Sequence, residues 1–358
     1  METQTSNLSF KGQHFYVGID VHKKQWTTTI RSVNKELKTF SMNPAAKELA
    51  QYMQRHYPEG HYHSAYEAGF SGFHIHESLT SLGFKNQVIH PADIPTMDKE
   101  KRNKDDVRDS RKIARELENR SLKGIYVPNR FHQEFRSLCR LRERSVSHQT
   151  RLKNRITSYF AFYGITIPSR EELPHWSKRF IGWLANQALQ YSCGNQTLAL
   201  MIDELTYQRT LLLKILRQIR KEVRKSPEVL DIIRLLETVP GVGFIAALTF
   251  YSEIMDMTRF GSLDHLKSFV GLAPESESSD ETTFEHGLTN RHNRHVRYVL
   301  VEAAWVAIRK DPALLNTYQG LTRRMKPQKA IIRITVKLLS RIRHVWITKE
   351  PYCLSVVK

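Results

Sequence analysis

Polar and apolar residues alternate through the first part of this chain, and apolar residues recur at three- and four-residue spacings through the rest. Residues 14–20 are largely apolar and close on a carboxylate, Asp20, which predicts a buried strand ending on a charge. The threonine-rich alternation of 25–32 predicts a second strand, and 36–42 a third after the polar turn Val33-Asn34-Lys35. A helix is expected from Pro44, capped by Asn43 and running through Leu49, Tyr52 and Met53. A short strand over 63–67 again ends on an acid, Glu67. A helical pattern over 73–82 and a strand over 86–89 follow. Pro91 and Pro95 bound an irregular link. The charged run Lys99–Arg111 then opens a helix through Ile113, Ala114 and Leu117, and 124–127 reads as a last short strand. Three consecutive strands followed by alternating helices and strands predict an α/β domain with a mixed sheet.

From Phe131 the pattern turns helical. Phe135, Leu138, Leu141, Val146, Leu152 and Ile156 fall on one side, with Arg136, Arg140, Arg144, Arg151 and Arg155 between them. A second long helix is expected over 195–225, with Leu198, Met201, Leu205, Leu212, Ile215 and Ile219 as its seam; the pair suggests a coiled-coil-like hairpin. A helix over 228–237 then meets Thr238-Val239-Pro240-Gly241-Val242-Gly243, followed by a helix from Ile245. This resembles a helix-hairpin-helix turn, in which glycines such as Gly241 and Gly243 let backbone N–H groups approach a DNA phosphate. The plain alternative is a tight structural turn. Residues 275–283 read as an exposed loop, Asn290–Arg297 as a basic cluster leading into a mainly α segment, and 323–349 as a basic amphipathic tail. The expected divisions are 14–130, 131–225, 226–320 and 321–358, and the strand order of the first is the RNase H-like layout.

Charge narrows the partners. The 358 residues carry a formal net charge of +19, which points to a polyanion, nucleic acid before an anionic membrane. No run of ~18 apolar residues predicts a transmembrane helix. Met1–Gln13 has no apolar signal core and reads as a short disordered lead-in. Cys139, Cys193 and Cys353 form no CxxC pair, which fits a reducing cytoplasm. The sixteen histidines show no four-ligand zinc spacing.

The candidate chemistry lies in Asp20, Glu67, Asp106 and Asp109. The last two are about one helical turn apart on one face. Two carboxylates from strands and two from a helix can converge on one or two Mg²⁺ ions, whose hardness suits oxygen ligands, for phosphoryl transfer. Plain alternatives exist for each. Asp20 can cap a turn, Glu67 can pair with a lysine, and Asp105, Asp106 and Asp109 can form a solvated ion-pair face with Lys104, Arg108 and Arg111. Ser276, Ser278 and Ser279 are, on composition, ordinary loop residues, since a serine hydroxyl needs activation to attack.

The ordered motifs carry a resemblance. Gly18-Ile19-Asp20-Val21-His22-Lys23, Tyr66-Glu67-Ala68-Gly69 and the run Lys104-Asp105-Asp106-Val107-Arg108-Asp109-Ser110-Arg111-Lys112-Ile113-Ala114 resemble the DEDD signature of insertion-sequence transposases, the bridge-RNA-guided serine recombinases. Thr238–Gly243, Phe269-Val270-Gly271-Leu272-Ala273-Pro274 and Gly287-Leu288-Thr289-Asn290-Arg291-His292-Asn293 resemble that family's C-terminal transposase domain. The resemblance implies a RuvC-like domain in which Asp20, Glu67, Asp106 and Asp109 bind Mg²⁺. It also implies a serine nucleophile, Ser279 by spacing with Ser278 as the alternative, since Asp280 stands where glycine is usual. DNA contact would involve Gly241, Gly243, Arg291, Arg294 and Arg297. The implied partners are donor and target DNA, a structured bridge RNA and further copies of the chain as a dimer or tetramer. The same acids would also suit a junction-type endonuclease with water as nucleophile, or survive in a non-catalytic nucleic-acid-binding relative.

Overall fold

The computed structural model describes residues 9–95, 105–279, 282–289 and 291–354, and these fall into two compact units, Met1–Val127 and Pro128–Lys358. The first is built on β1 (His14–Val21), β2 (Trp26–Ser32), β3 (Lys35–Met42), α1 (Ala46–His56), β4 (His61–Glu67), α2 (His74–Ser81), β5 (Lys85–Ile89) and α3 (Asp106–Glu118). Its sheet is mixed, in the order β3-β2-β1-β4-β5. β1 runs antiparallel to β2 and parallel to β4, which places Asp20 on the central strand.

Side-chain alternation sorts β1 into two faces. Phe15, Val17 and Ile19 pack with Leu49 and Met53 of α1 and Ile75 and Leu79 of α2. The opposite face of the sheet carries α3, where Ala65 and Ile89 meet Ile113 and Leu117, with Tyr16 packed against them. Gly18 and Asp20 have the same parity as Tyr16, and Glu67 the same parity as Ala65, so the two strand acids lie on the α3 side.

Gly18 sets how closely α3 can sit. A Cβ there would lie 2.2 Å from the Ser110 carbonyl oxygen and 2.4 Å from the Ala114 amide nitrogen. The helix backbone therefore rests directly on the central strand. The Ser110 and Thr29 hydroxyls bond at 2.9 Å, and Glu118 ties the far end of α3 to Arg31 at 2.7 Å and to the Asn34 amide at 2.7 Å. Gly18→Ala must lift the helix, because both colliding atoms are backbone. Overpacking of this kind costs about 3 kcal/mol. The expected result is a clearly lowered melting temperature, and wild-type melting would contradict the seating.

The second unit is mostly helical. It contains α4 (Arg130–Phe162), α5 (Lys178–Ala185), α6 (Ser192–Lys225), α7 (Pro227–Glu237), α8 (Phe244–Ile254), α9 (Leu263–Val270), β6 (Pro274–Ser279), β7 (Thr282–Leu288), α10 (Arg294–Lys310), α11 (Pro312–Thr322) and α12 (Pro327–Thr348). α4 packs along α6. At one end of this pair Leu152, Ile156 and Phe160 form a small core with Phe180, Leu184, Leu198 and Leu205. At the other end Phe135, Cys139, Ile215, Ile219 and Val223 belong to the larger core of α7–α12.

Several local expectations change. Phe10, expected in a disordered lead-in, stacks edge-on against Phe15 and Tyr57. The first helix is capped at Ala45, not Asn43, and has no side-chain cap. Residues 124–127 make one bridge, Ile89 to Gly124, because the chain leaves the sheet at once. The serine segment is not a loop: β6 and β7 pair antiparallel, with Ser278 opposite Thr283 and Ser279 opposite Thr282. The basic tail contains α12, whose Ile331, Ile334, Leu338, Leu339, Ile342 and Val345 are buried in the main core.

Candidate metal centre

Asp20 sits one residue from the end of β1, where the sheet stops covering it, and its side chain is 19% exposed. Asp106 is the first residue of α3, which Gly18 seats over that strand. His22 stands between them. Its Nε2 lies 3.1 Å from Asp20 Oδ2 and 3.3 Å from Asp106 Oδ1. The three residues each offer a ligand atom within 4.8 Å of the others. Asp105, the neighbour of Asp106, plays a structural part, since its carboxylate caps α3 by accepting from the Val107 amide at 3.3 Å.

The electrostatics of this cluster favour a cation. Burial pushes the Asp20 carboxyl up to about 6; His22 opposes this, and the charges of Asp106 and Asp109 add to it. Asp20 in turn raises the His22 imidazole, with help from Asp106. Negative groups are thus held together against their own repulsion, with one histidine as partial compensation. Carboxylate oxygens near solvent suit a hard divalent ion, and Asp20 and Asp106 could hold one, with His22 joining or yielding.

The other candidates are placed as follows. Asp109 lies in the first turn of α3 and is felt electrostatically by Asp20. Glu67 ends β4, half-buried and paired in register with Ile89, and is outside the Asp20–His22–Asp106 group. His22 belongs to the motif at Asp20, but the absence of a zinc spacing among the histidines gives it no metal role in the sequence. The usable signal is its offset of two from Asp20, which keeps both on one side of an extended chain.

In the second unit, Gly241 has φ +85°, and a Cβ there would lie 2.2 Å from the Ala303 carbonyl oxygen. Its glycine is therefore explained by packing against α10. Gly243 is the N-cap of α8, with no side-chain cap and open space around its Cα. Arg291 and Arg294 are exposed, while half-buried Arg297 donates to the Thr289 carbonyl at 3.3 Å. The turn between them is anchored. Asn293 caps α10 and donates to Glu253 Oε2 at 2.8 Å, and Arg140 donates to both Glu253 oxygens at 2.7 and 2.8 Å. Burial would raise the Glu253 carboxyl, but the Arg140 and Asn293 hydrogen bonds hold it below the usual range. Ser278 and Ser279 end β6, and Asp280 and Glu281 lie outside the described residues. Cys139 is buried, and burial pushes its thiol up to about 12.

Fold and site define a strongly basic protein in which the central strand of a mixed sheet and an overlying helix bring carboxylates to one point. Residues 17–165 match the DEDD transposase model, and residues 233–319 match the transposase model of the IS116/IS110/IS902 family. The chain belongs to this family of insertion-sequence transposases. It is similar to the y4qE protein of Sinorhizobium fredii, at 29% identity over 68% of this chain and 58% of that protein. It is similar to the transposase for insertion sequence element IS1111A of Coxiella burnetii, at 27% identity over 66% of this chain and 63% of that one. The y4rJ protein of Sinorhizobium fredii shares 25% identity over 76% of this chain and 74% of its own length. The match thus spans about three fifths of the first two relatives. Among the described residues no helix is long and apolar enough to cross a membrane.

Proposed function

We propose that this chain is a transposase that recombines DNA at specific sites, cleaving and rejoining strands through a serine–DNA link. The observation that carries this reading is the meeting of Asp20 and Asp106, from a strand and a distant helix, at the open end of the central strand. In this reading residues 14–130 form an RNase H/RuvC-like domain. Asp20, Glu67, Asp106 and Asp109 would hold Mg²⁺, which when bound supplies charge neutralisation at the phosphate and acidifies a hydroxyl.

The chain's own groups do the rest. The serine hydroxyl, Ser279 with Ser278 as alternative, attacks phosphorus; its proton leaves to a base, the phosphorus–oxygen bond to the departing strand breaks, and that strand's oxygen takes a proton. One phosphodiester replaces another, so rejoining needs no nucleotide cofactor. Gly243, Arg291 and Arg294 offer exposed donors for DNA phosphates, with Gly241 and Arg297 shaping the same turns. The helical pair within 131–225 serves assembly of a dimer or tetramer or contact with a bridge RNA, in the cytoplasm of a bacterium.

Asp280, in place of glycine, favours one rival: a junction endonuclease in which the same acids activate water. Purified protein incubated with DNA bearing the ends of its element is expected to break and rejoin strands with Mg²⁺ and to stop in EDTA. Tight binding without cleavage in Mg²⁺ or Mn²⁺ would overturn the proposal in favour of a non-catalytic binder.

A further inference from the structure

One face of α6 is built almost wholly of cations. Lys214, Arg217, Arg220, Lys221 and Arg224 are exposed, while Ile215, Ile219 and Val223, on the opposite side, are buried in the main core. Their three- and four-residue spacing forms one stripe. From Lys214 to Arg224 it rises about 15 Å, at roughly 1.5 Å per residue. Arg217, Arg220, Lys221, Arg224 and Lys225 line a shallow cleft of about 490 Å³, and no acid lines it.

Ordinary causes do not account for the stripe. Cations in the last turn of a helix are favoured by its dipole, which explains Arg224 and Lys225 but fades within a turn. Lys214, Arg217, Arg220 and Lys221 stand upstream of it. Local pairing does not absorb them either. Glu222 pairs with Lys225 at 2.7 Å, whereas among the described residues no carboxylate pairs with Arg217, Lys221 or Arg224. Side chains so placed repel one another unless a polyanion lies across them.

The stripe also has a fixed position. The Arg220 guanidinium lies 5.5 Å from the centre of the Phe244 ring, at the first residue of α8. The cationic face therefore reaches the first residue of α8, next to the N-cap Gly243, which the proposed function assigns to a DNA phosphate.

We propose that Lys214, Arg217, Lys221 and Arg224 form a clamp on the sugar-phosphate backbone of duplex DNA. This rests on the transposase reading, which gives the protein two polyanions, DNA and a structured RNA; the contact of Arg220 with Phe244, beside the Gly243 turn assigned above to a DNA phosphate, favours duplex DNA over RNA on this face of the helical pair. The clamp reads no sequence, because phosphate contacts position a duplex without reporting its bases. It fixes how the DNA approaches the turn at Gly243.

The test uses the full-length protein and a labelled 30-base-pair duplex, with affinity measured across a salt series. Wild type is compared with the triple variant Arg217→Ala, Lys221→Ala, Arg224→Ala. Each lost phosphate contact lowers the slope of log affinity against log salt by about 0.9, so the triple variant is expected to lose roughly 2–3 in slope. Affinity at 0.15 M salt should fall on the order of 10- to 100-fold, equally for unrelated sequences. Exposed positions leave the fold intact, which an unchanged melting temperature records; the variant Arg217→Lys, Arg224→Lys should retain the slope. Wild-type slope and affinity in the triple variant would overturn the clamp while leaving the transposase reading in place. So would loss of structured-RNA binding with duplex binding intact. Failure of the wild type to bind any duplex would overturn both.

Discussion

Replacing Asp20 with asparagine is expected to abolish Mg²⁺-dependent strand cleavage and, in the same protein, to raise the melting temperature of the metal-free fold at pH 7.5. The first effect follows from the site. Without this carboxylate, Asp106 and its neighbours keep a cation poorly, and the loss should reach at least about a thousandfold, or roughly 4 kcal/mol of barrier. The second follows from the carboxyl's own environment. Burial and the nearby acids push it up to about 6 from an ordinary 3.8. The fold therefore favours the protonated form. That stabilisation is fully present below about 3.8, is lost as pH rises through about 6, and is absent at pH 7.5. Asparagine is neutral at every pH and recovers part of it, on the order of 1–2 kcal/mol given the partial exposure of the site. Thermal melts in EDTA and in Mg²⁺ check both signs. Wild type should gain stability from the metal and the variant should not; an Asp20→Asn protein that melts lower in EDTA, or still cleaves, would count against the site.

Ser279→Ala is expected to remove both the covalent DNA adduct and strand rejoining, by at least about a thousandfold, because in the proposed mechanism its hydroxyl supplies the attacking oxygen. Ser278→Ala should leave both within a few-fold of wild type. Two adjacent serines at the end of β6 make this comparison sharp. Reversal of the two results would move the nucleophile by one residue. Survival of cleavage in both variants, without an adduct, would favour water and the endonuclease reading.

Much of the first unit was legible because its strands alternate cleanly. Phe15, Val17 and Ile19 announce a buried face, and acids at strand ends draw attention because unpaired buried charge is costly. What could not be read was depth. Gly18 looks like any strand glycine until α3 is laid on it, and that contact joins parts of the chain with no shared local pattern. His22 was hidden for a related reason: its partner Asp106 is remote in sequence. β6 is polar after Pro274 and β7 has only Phe284 and Leu288 as large apolar residues, so pairing left no apolar alternation and the stretch read as loop. In α12 the amphipathic pattern was legible, but nothing local in it shows that the main core buries its seam from Ile331 to Val345. Gly241, expected at a phosphate, is required by the approach of α10.

The most direct measurement is mass-spectrometric mapping of the protein–DNA adduct trapped on a nicked substrate, with and without Mg²⁺. A phosphodiester on Ser279 is expected, formed only with the divalent ion and lost in Asp20→Ala. Strand cleavage with no adduct on either serine, or adduct formation undiminished by Asp20→Ala, would contradict a metal centre at Asp20 serving a serine nucleophile.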